Sequence, residues 1–457
     1  MSLAAEKSLR KRISDNKAIR ATVMRLAWPV MAESFLQTFA QIVSMALVGH
    51  LGASAVTSIG LSMAPLNVFY GLFTGLGVAV TAIVARFMGA EEERKAAHAA
   101  AQGVLLSAVI AVAGAVAILV FARDLVVWMG AEPEVVIQGT RYLRAMTPGL
   151  FFMWMSTVLT GALRGAGDTR TPMKVNIMIS VLNFVLNLIL VYGFLGIPAM
   201  GVLGAGLATS MARITGGALI YGFYLAGHTV IPPKLKYDFC WDKPAVLKTL
   251  RVGLPAAGER VLMSSSSVLY QRMVAGLGTV SYAAHTIGIN AESISYMPGQ
   301  AFAVAATTLV GQSLGAKDPE KAERSTYESL KLACLLVSLM GAVFYFWPDV
   351  LMGAYTSDPD VIRLGSVYLR IMAFCQIHQA FGFVLTGGLR GAGDTKFPMI
   401  VTAVAAWPIR LVMTYYLINV VRTGVEGAWW AMAADGLFKG VASFIWFRMG
   451  RWKRTKE

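Results

Sequence analysis

The segment GALRGAGDTRTPMKV at 161–175 returns as GGLRGAGDTKFPMIV at 387–401, with 11 of 15 positions identical and an offset of 226 residues from Gly161 to Gly387. The same offset holds along the chain. Pro29 maps onto Pro255, Glu33 onto Glu259, Gly52 onto Gly278, and Gly89-Ala90 onto Gly315-Ala316. The 457 residues are therefore one unit of about half that length, duplicated. In a strongly apolar chain, a tandem repeat points to a transporter, because such folds place a substrate path between two related halves.

This chain is apolar enough. Hydrophobic residues make up 56% and charged residues 14%, against about 25% charged in an average soluble domain. The apolar residues come in long blocks separated by short charged segments, as bilayer-spanning helices require. GVLLSAVIAVAGAVAILVF at 103–121 carries no charge. A soluble helical bundle would need polar outer faces, which most of these blocks lack. The basic N-terminus leads into an apolar stretch without a cleavage pattern, so the first helix is expected to be retained. Cys240, Cys334 and Cys375 are odd in number and scattered, and imply neither disulfides nor a metal site. The net charge of +15 could suggest nucleic acid. Its distribution gives a better explanation.

Twelve helices are predicted, at about 22–47, 54–84, 95–121, 136–164, 172–194, 201–226, 246–274, 280–311, 323–347, 361–389, 398–420 and 425–449. Basic residues collect in alternate connections. Arg86, Arg94 and Lys95 follow helix 2, Arg164, Arg170 and Lys174 follow helix 4, and Lys234, Lys236, Lys243 and Lys248 separate the halves. The second half repeats the pattern with Lys317, Lys321 and Arg324, then Arg390 and Lys396, then the C-terminal tail. Both termini are expected in the cytoplasm. Arg141, Arg144, Arg363 and Arg370 sit awkwardly for this map. The expected organisation is a basic tail at 1–20, an N-lobe at 21–226, a cytoplasmic linker at 227–246, a C-lobe at 247–450 and a tail at 451–457. The fold class is an all-α integral membrane protein. Its twelve transmembrane helices form two pseudo-symmetric six-helix lobes, related as parallel repeats because six helices return the chain to its starting side.

LRGAGDT resembles a phosphate cradle, but no GK[ST] follows and no strand precedes it. It reads better as a tight turn, with Arg164 and Arg390 at helix C-termini, Asp168-Thr169 and Asp394-Thr395 capping the next helix, and Pro172 and Pro398 in its first turn. Without a Walker-type loop, ATP is not the expected energy source.

Polar residues inside the spans are the site candidates. Glu33, Gln37, Gln41 and Ser44 share one face of helix 1, and Glu259, Ser266, Ser267 and Tyr270 form the matching stripe on helix 7. An acidic residue at the bilayer centre costs about 2.5–3.5 kcal/mol on insertion scales, so such a group usually acts. Pairing with Arg25 or Arg260 is the plainer reading of Glu33 and Glu259. Asn183 and Asn187 share a face of helix 5, where helix–helix hydrogen bonding explains them as readily as ligand contact. Helix 8 carries Asn290, Glu292, Ser293, Ser295, Tyr296 and Gln300, too polar for a lipid-facing surface. His378, Gln379 and Arg410 complete the set, and a lone histidine such as His378 is more often structural. Among 24 methionines, some suit a pocket for varied apolar shapes, although most are expected to pack or face lipid.

Together, P-x-x-x-E in helix 1, VGHLG at 48–52, LVGQSLGA at 309–316 and the twin LRGAGDT turns resemble the multidrug and toxic compound extrusion (MATE) family, over about residues 20–450. The branch containing DNA-damage-inducible protein F is the most similar. The resemblance implies two six-helix lobes and export of amphipathic, often cationic compounds in exchange for protons or sodium ions. It implies no cofactor, no nucleic acid, small-molecule and lipid partners, a monomer, and a place in the cell inner membrane. Many members carry an aspartate where this chain has Ser44, an acid on helix 5 at the place of Asn187, and one on helix 10 near Gln379. All three are absent, so coupling cannot be carried over. Glu33 and Glu259 are then the first candidates, as carboxylates at equivalent positions, with Glu292 in reserve. The rivals are a lipid-linked glycan flippase, which would need more interior cations than Arg213, Arg272 and Arg410, and a membrane-embedded enzyme. HExxH and GxSxG are absent and the histidines are dispersed, so no catalytic residue or metal ligand is expected. A channel is a third rival that fits a parallel duplication less well.

Overall fold

The computed structural model describes residues 3–49, 53–129, 133–193 and 198–454. It is helical, with no strand among the described residues. The first half holds α1 (Leu3–Gly49), α2 (Ala53–Gly89), α3 (Glu93–Trp128), α4 (Pro133–Gly165), α5 (Arg170–Tyr192) and α6 (Gly201–Leu225). A short α7 (Leu235–Asp238) follows. Then come α8 (Lys243–Ala275), α9 (Thr279–Gly315), α10 (Pro319–Phe346), a short α11 (Pro348–Gly353), α12 (Pro359–Gly391), α13 (Lys396–Val404), α14 (Met413–Tyr416) and α15 (Gly424–Arg448). Two π-helical segments, Ala405–Val412 and Leu417–Val421, join α13 and α14 into one span, Lys396–Val421. Counting that span once, the twelve expected transmembrane helices are all present. The duplication is visible in their ends: α2 and α9, and α4 and α12, start and stop at equivalent residues.

Among the described residues, six helices are long and apolar enough to cross a membrane on length and hydropathy alone: Leu66–Gly89, Glu93–Trp128, Val135–Gly165, Arg170–Tyr192, Pro319–Phe346 and Lys396–Val421. The other long helices, α1, α6, α8, α9, α12 and α15, carry the polar and charged residues discussed below. Polar side chains in a span lower its hydropathy and mark it for function or interior packing.

The chain divides into two compact units, Met1–Met31 with Gly258–Glu457 (unit 1), and Ala32–Ala257 (unit 2). These limits differ from the lobes drawn on the sequence. Helices α1 and α8 each change unit just after their internal prolines, Pro29 and Pro255. The first part of α1, expected as a tail, is helical. Just beyond it, within the expected helix 1, Val23, Leu26, Ala27 and Val30 pack into a unit 1 core with Phe302, Val310 and Val384. Arg20 forms an ion pair with buried Glu328, which also holds Lys331 at 2.7 Å.

The segment 227–246, expected as a linker, is tied to α3 within unit 2. Arg94 makes a bidentate pair with buried Asp238, both distances 2.7 Å. The Gln102 amide donates to the carbonyls of Asp238 at 2.8 Å and Cys240 at 2.6 Å. Such a bidentate guanidinium–carboxylate pair fixes orientation as well as charge.

The LRGAGDT segments do three structural jobs at once. Gly161 and Gly165 of α4 lie where a Cβ would run into the backbone of Gly77 and Thr81 on α2. Gly387 and Gly391 meet Ala303 and Thr307 on α9 in the same way. Small residues at this spacing allow close helix approach in a membrane. The Thr81 hydroxyl lies 2.8 Å from the carbonyls of Gly77 and Gly161, and Thr307 repeats this with Ala303 and Gly387. Gly167 (φ 94°) and Gly393 (φ 85°) then make the left-handed turn. Finally Asp168 accepts from the amides of Arg170 at 3.1 Å and Thr171 at 2.9 Å, and Asp394 from Phe397 at 3.3 Å. The aspartates, rather than Thr169 and Thr395, supply the caps.

Candidate functional site

Three polar clusters hold the residues singled out from the sequence. The first occurs once in each unit. In unit 2, Glu33 is buried and accepts from Arg164 Nη2 at 2.9 and 2.8 Å, from Asn176 Nδ2 at 2.9 Å and distantly from Gln37 Nε2 at 3.5 Å. In unit 1, Glu259 accepts from Arg390 Nη2 at 2.6 Å and Thr402 Oγ1 at 3.2 Å. Each member is the 226-residue image of its counterpart. The arginine that bonds each glutamate is the one in LRGAGDT, so neither Arg25 nor Arg260 takes that place. The pair ties α1 or α8 to the turn that ends α4 or α12. A buried carboxylate with a guanidinium and a second donor is satisfied as it stands.

The second cluster is confined to unit 1. Glu292, midway along α9, is completely buried. Tyr368 of α12 donates to its Oε2, and Gln379 Nε2 donates to its Oε1 at 2.8 Å. Both donors are neutral. Around them, Trp429 Nε1 of α15 donates to His285 Nδ1 at 3.3 Å, and the His285 ring meets Tyr270 and Tyr368 edge-on at 5.4 and 5.9 Å. The Tyr270 hydroxyl donates to the Ala428 carbonyl at 2.8 Å, and the Arg410 guanidinium lies 5.8 Å from the Tyr270 ring centre. Arg410 itself pairs with Asp435, which also holds Lys439 at 3.1 Å. Two carboxylates and two cations thus occupy one helical interior. Arg410 sits in the π-helical segment beside Pro408, and the Ser266 hydroxyl donates to the Ala406 carbonyl of that segment at 2.8 Å. π-helical turns are frequent at functional sites.

The third cluster lies in unit 2. The Ser44 hydroxyl donates to Asn183 Oδ1 at 3.3 Å, and Asn183 Nδ2 donates to Thr209 Oγ1 at 3.2 Å. Asn187 Nδ2 donates back to the Asn183 carbonyl at 2.8 Å and to its Oδ1 at 3.1 Å. This network joins α1, α5 and α6 and contains no ionisable group.

The candidates therefore separate. Glu33 and Gln37 belong with the turn, and Glu259 with its duplicate. Ser44, Asn183 and Asn187 come together. Tyr270 and Glu292 share the unit 1 cluster. Gln41 is exposed, and His378 is part-buried on α12, its carbonyl standing where a Cβ on Gly440 would go. Gly52 and most of VGHLG lie outside the described residues. Sequence reasoning passed over Asp435 and Lys439, although an acid and a base one turn apart in an apolar helix are a legible signal. It also passed over Tyr368, Trp429 and Asn176, which carry no such mark. Among the described residues no group of His, Cys, Asp and Glu could hold a metal ion.

A duplicated, twelve-helix membrane protein with charged residues paired inside its helical bundles is a secondary transporter by architecture. The MatE family model matches residues 29–189 and 255–416, and the chain belongs to that family. The probable multidrug resistance protein NorM of Thermotoga maritima is 30% identical over 443 residues, covering 95% of this chain and 94% of its own. A protein of the same name from Bacillus subtilis is 28% identical over 392 residues, covering 84% of each. Among solved structures, a MATE crystal structure in complex with MaD3S superposes with a TM-score of 0.89 at 25% identity, over 96% of this chain and 97% of that one. The chain is a transporter of the multidrug efflux family.

Proposed function

We propose that this transporter exports amphipathic, often cationic compounds across the cell inner membrane in exchange for protons or sodium ions, and that Glu292 is the coupling carboxylate. The carrying observation is a fully buried carboxylate that accepts hydrogen bonds from two neutral donors, Tyr368 and Gln379. As an anion, Glu292 accepts from both. Once protonated, its O–H donates, so the Tyr368 hydroxyl has to turn and accept, and the bond network between α9 and α12 changes. A change in protonation or cation binding is thereby linked to helix packing, which alternating access needs. Glu33 and Glu259 are the weaker candidates, because each already has a guanidinium within hydrogen-bonding distance.

The test is transport in proteoliposomes with proton and sodium gradients imposed separately. Glu292→Gln should remove the dependence of export on the coupling gradient while the protein remains folded. Wild-type export by this variant, with unchanged gradient dependence, would sink the assignment. The charge map further puts both termini and 227–246 in the cytoplasm. Cys240, which is exposed, should then resist an impermeant thiol reagent in intact cells and react in inverted vesicles. The reverse pattern would invert the map.

A further inference from the structure

We propose that unit 2 contains a carboxylate-binding site built on Arg213, which takes the anionic end of an amphipathic substrate.

Arg213 lies midway along α6. Its neighbours on one helix face are Gly206, Ser210 and Gly217, at helical spacing. All three are pressed against α4. A Cβ on Gly206 would meet Tyr142, the Gly149 amide donates to Ser210 Oγ at 2.9 Å, and a Cβ on Gly217 would run into Phe152. Arg213 thus lies on the helix face that packs closely against α4. Its Nη1 is buried and has no hydrogen-bond partner. Tyr142 and Tyr70 lie near it, and neither side chain is a carboxylate. A half-buried guanidinium with a buried, unused donor and no paired carboxylate among the described residues is an incomplete site.

The duplicate half indicates what would complete it. Lys439 is the 226-residue image of Arg213, and Tyr368 and Tyr296 are the images of Tyr142 and Tyr70. In unit 1 this same framework holds two carboxylates of its own. Asp435 lies 3.1 Å from Lys439, and Glu292 accepts from Tyr368. The equivalent positions in unit 2 are Thr209 and Leu66. Unit 2 therefore keeps the cation and the tyrosines and lacks both acids. A ligand carboxylate would supply the missing charge, accepting from Arg213 as carboxylates do from guanidinium groups. An apolar ligand body suits the surroundings, since Tyr142 belongs to the apolar core of unit 2. This assignment rests on the exporter reading and narrows its substrate class to include carboxylate-bearing amphiphiles.

The test uses the purified full chain and three fluorescent probes: dansylamino-undecanoic acid, its methyl ester, and ethidium. The acid should bind about tenfold or more tightly than the ester, the discrimination expected of a hydrogen bond to a charged group. Arg213→Gln should abolish that discrimination without weakening ethidium binding, and Arg213→Lys should retain part of it. Thr209→Asp restores the acid found in the other half and should also exclude the carboxylate probe. It decides the matter if Arg213→Gln does not fold. Equal binding of acid and ester to the wild type, or discrimination that survives both substitutions, overturns the proposal. If ethidium is bound and exported while the acid never binds, the exporter reading stands and this site falls. If no probe binds, both fall.

Discussion

The two halves of this chain agree at their turns and differ in their interiors. At the turns, Glu33, Arg164, Asn176 and Thr81 have counterparts in Glu259, Arg390, Thr402 and Thr307, with matching contacts. In the interiors, Leu66, Met153, Phe184 and Thr209 of unit 2 stand at the sequence positions equivalent to Glu292, Gln379, Arg410 and Asp435 of unit 1. Duplication starts both halves alike. What remains shared is the framework that closes each helical unit, and the differences mark where the halves took on separate work. Position alone would have made Glu33 and Glu259 the functional pair. The arginine that each one shares with its LRGAGDT turn points the other way, to a structural role. On the function proposed above, the chemistry rests instead on residues without a like counterpart, Glu292 and Arg213.

The strongest way to break this comparison is to remove the shared arginines. Arg164→Ala and Arg390→Ala each leave a buried glutamate without its cation, and removing one partner of a buried pair costs about 3–5 kcal/mol. Both variants should therefore express poorly and melt well below the wild type in detergent. The double replacement of Glu33 by Leu and Arg164 by Met should recover most of that loss, because an apolar pair of similar volume substitutes well. Thermal unfolding of the purified variants measures this. If Arg164→Ala keeps full stability, the pair is not structural, and Glu33 returns as a coupling candidate.

A finer comparison concerns the two caps. Asp168 and Asp394 both receive helix N–H groups, and loss of a cap costs about 0.5–2 kcal/mol. In place of the second amide that Asp168 receives, Asp394 has a tertiary donor, Trp446 Nε1 at 2.9 Å, whose ring stacks on Phe397 at 4.3 Å. Asp394→Ala should thus destabilise more than Asp168→Ala, and Trp446→Phe should remove most of the difference. Substrate profile should not change in any of the three. Equal losses, or an altered profile, would show that the turns are doing something other than capping.

Much of this architecture was legible in the chain, and the reason is periodicity. Apolar blocks and alternating basic loops gave the helices, and the fixed offset gave the two halves. The length of α1 was not legible, because its first turns are charged and only the later Val23 and Leu26 pack on distant helices. The unit 1 cluster was half legible. Glu292, Tyr270 and Arg410 stand out as polar residues in apolar helices. Tyr368 and Trp429 do not, since aromatics are ordinary in membrane spans. The partner of Glu33 was hidden for a different reason. Arg164 already had a sufficient explanation at a helix C-terminus, so nothing local asked for a second one.

The smallest expected effect is also the most direct measure of symmetry. The Thr81 and Thr307 hydroxyls bridge α2 to α4 and α9 to α12 with the same 2.8 Å geometry. Interhelical hydrogen bonds in a membrane protein average about 0.6 kcal/mol by double-mutant cycles. Thr81→Val and Thr307→Val keep the shape and remove the bond, so each should lower stability by about that amount. Their losses should be equal and additive, because the two sites lie in separate compact units with no shared partner. Export should be unaffected by Thr81→Val. Thr307→Val is the sharper case, because α9 also carries Glu292. If the helix pair moves against itself during transport, loosening its bridge should change the export rate at unchanged ligand affinity. Equal stability losses with a rate change only in Thr307→Val would assign the moving pair to α9 and α12. Equal losses with no rate change would leave Glu292 coupled through some element other than α12.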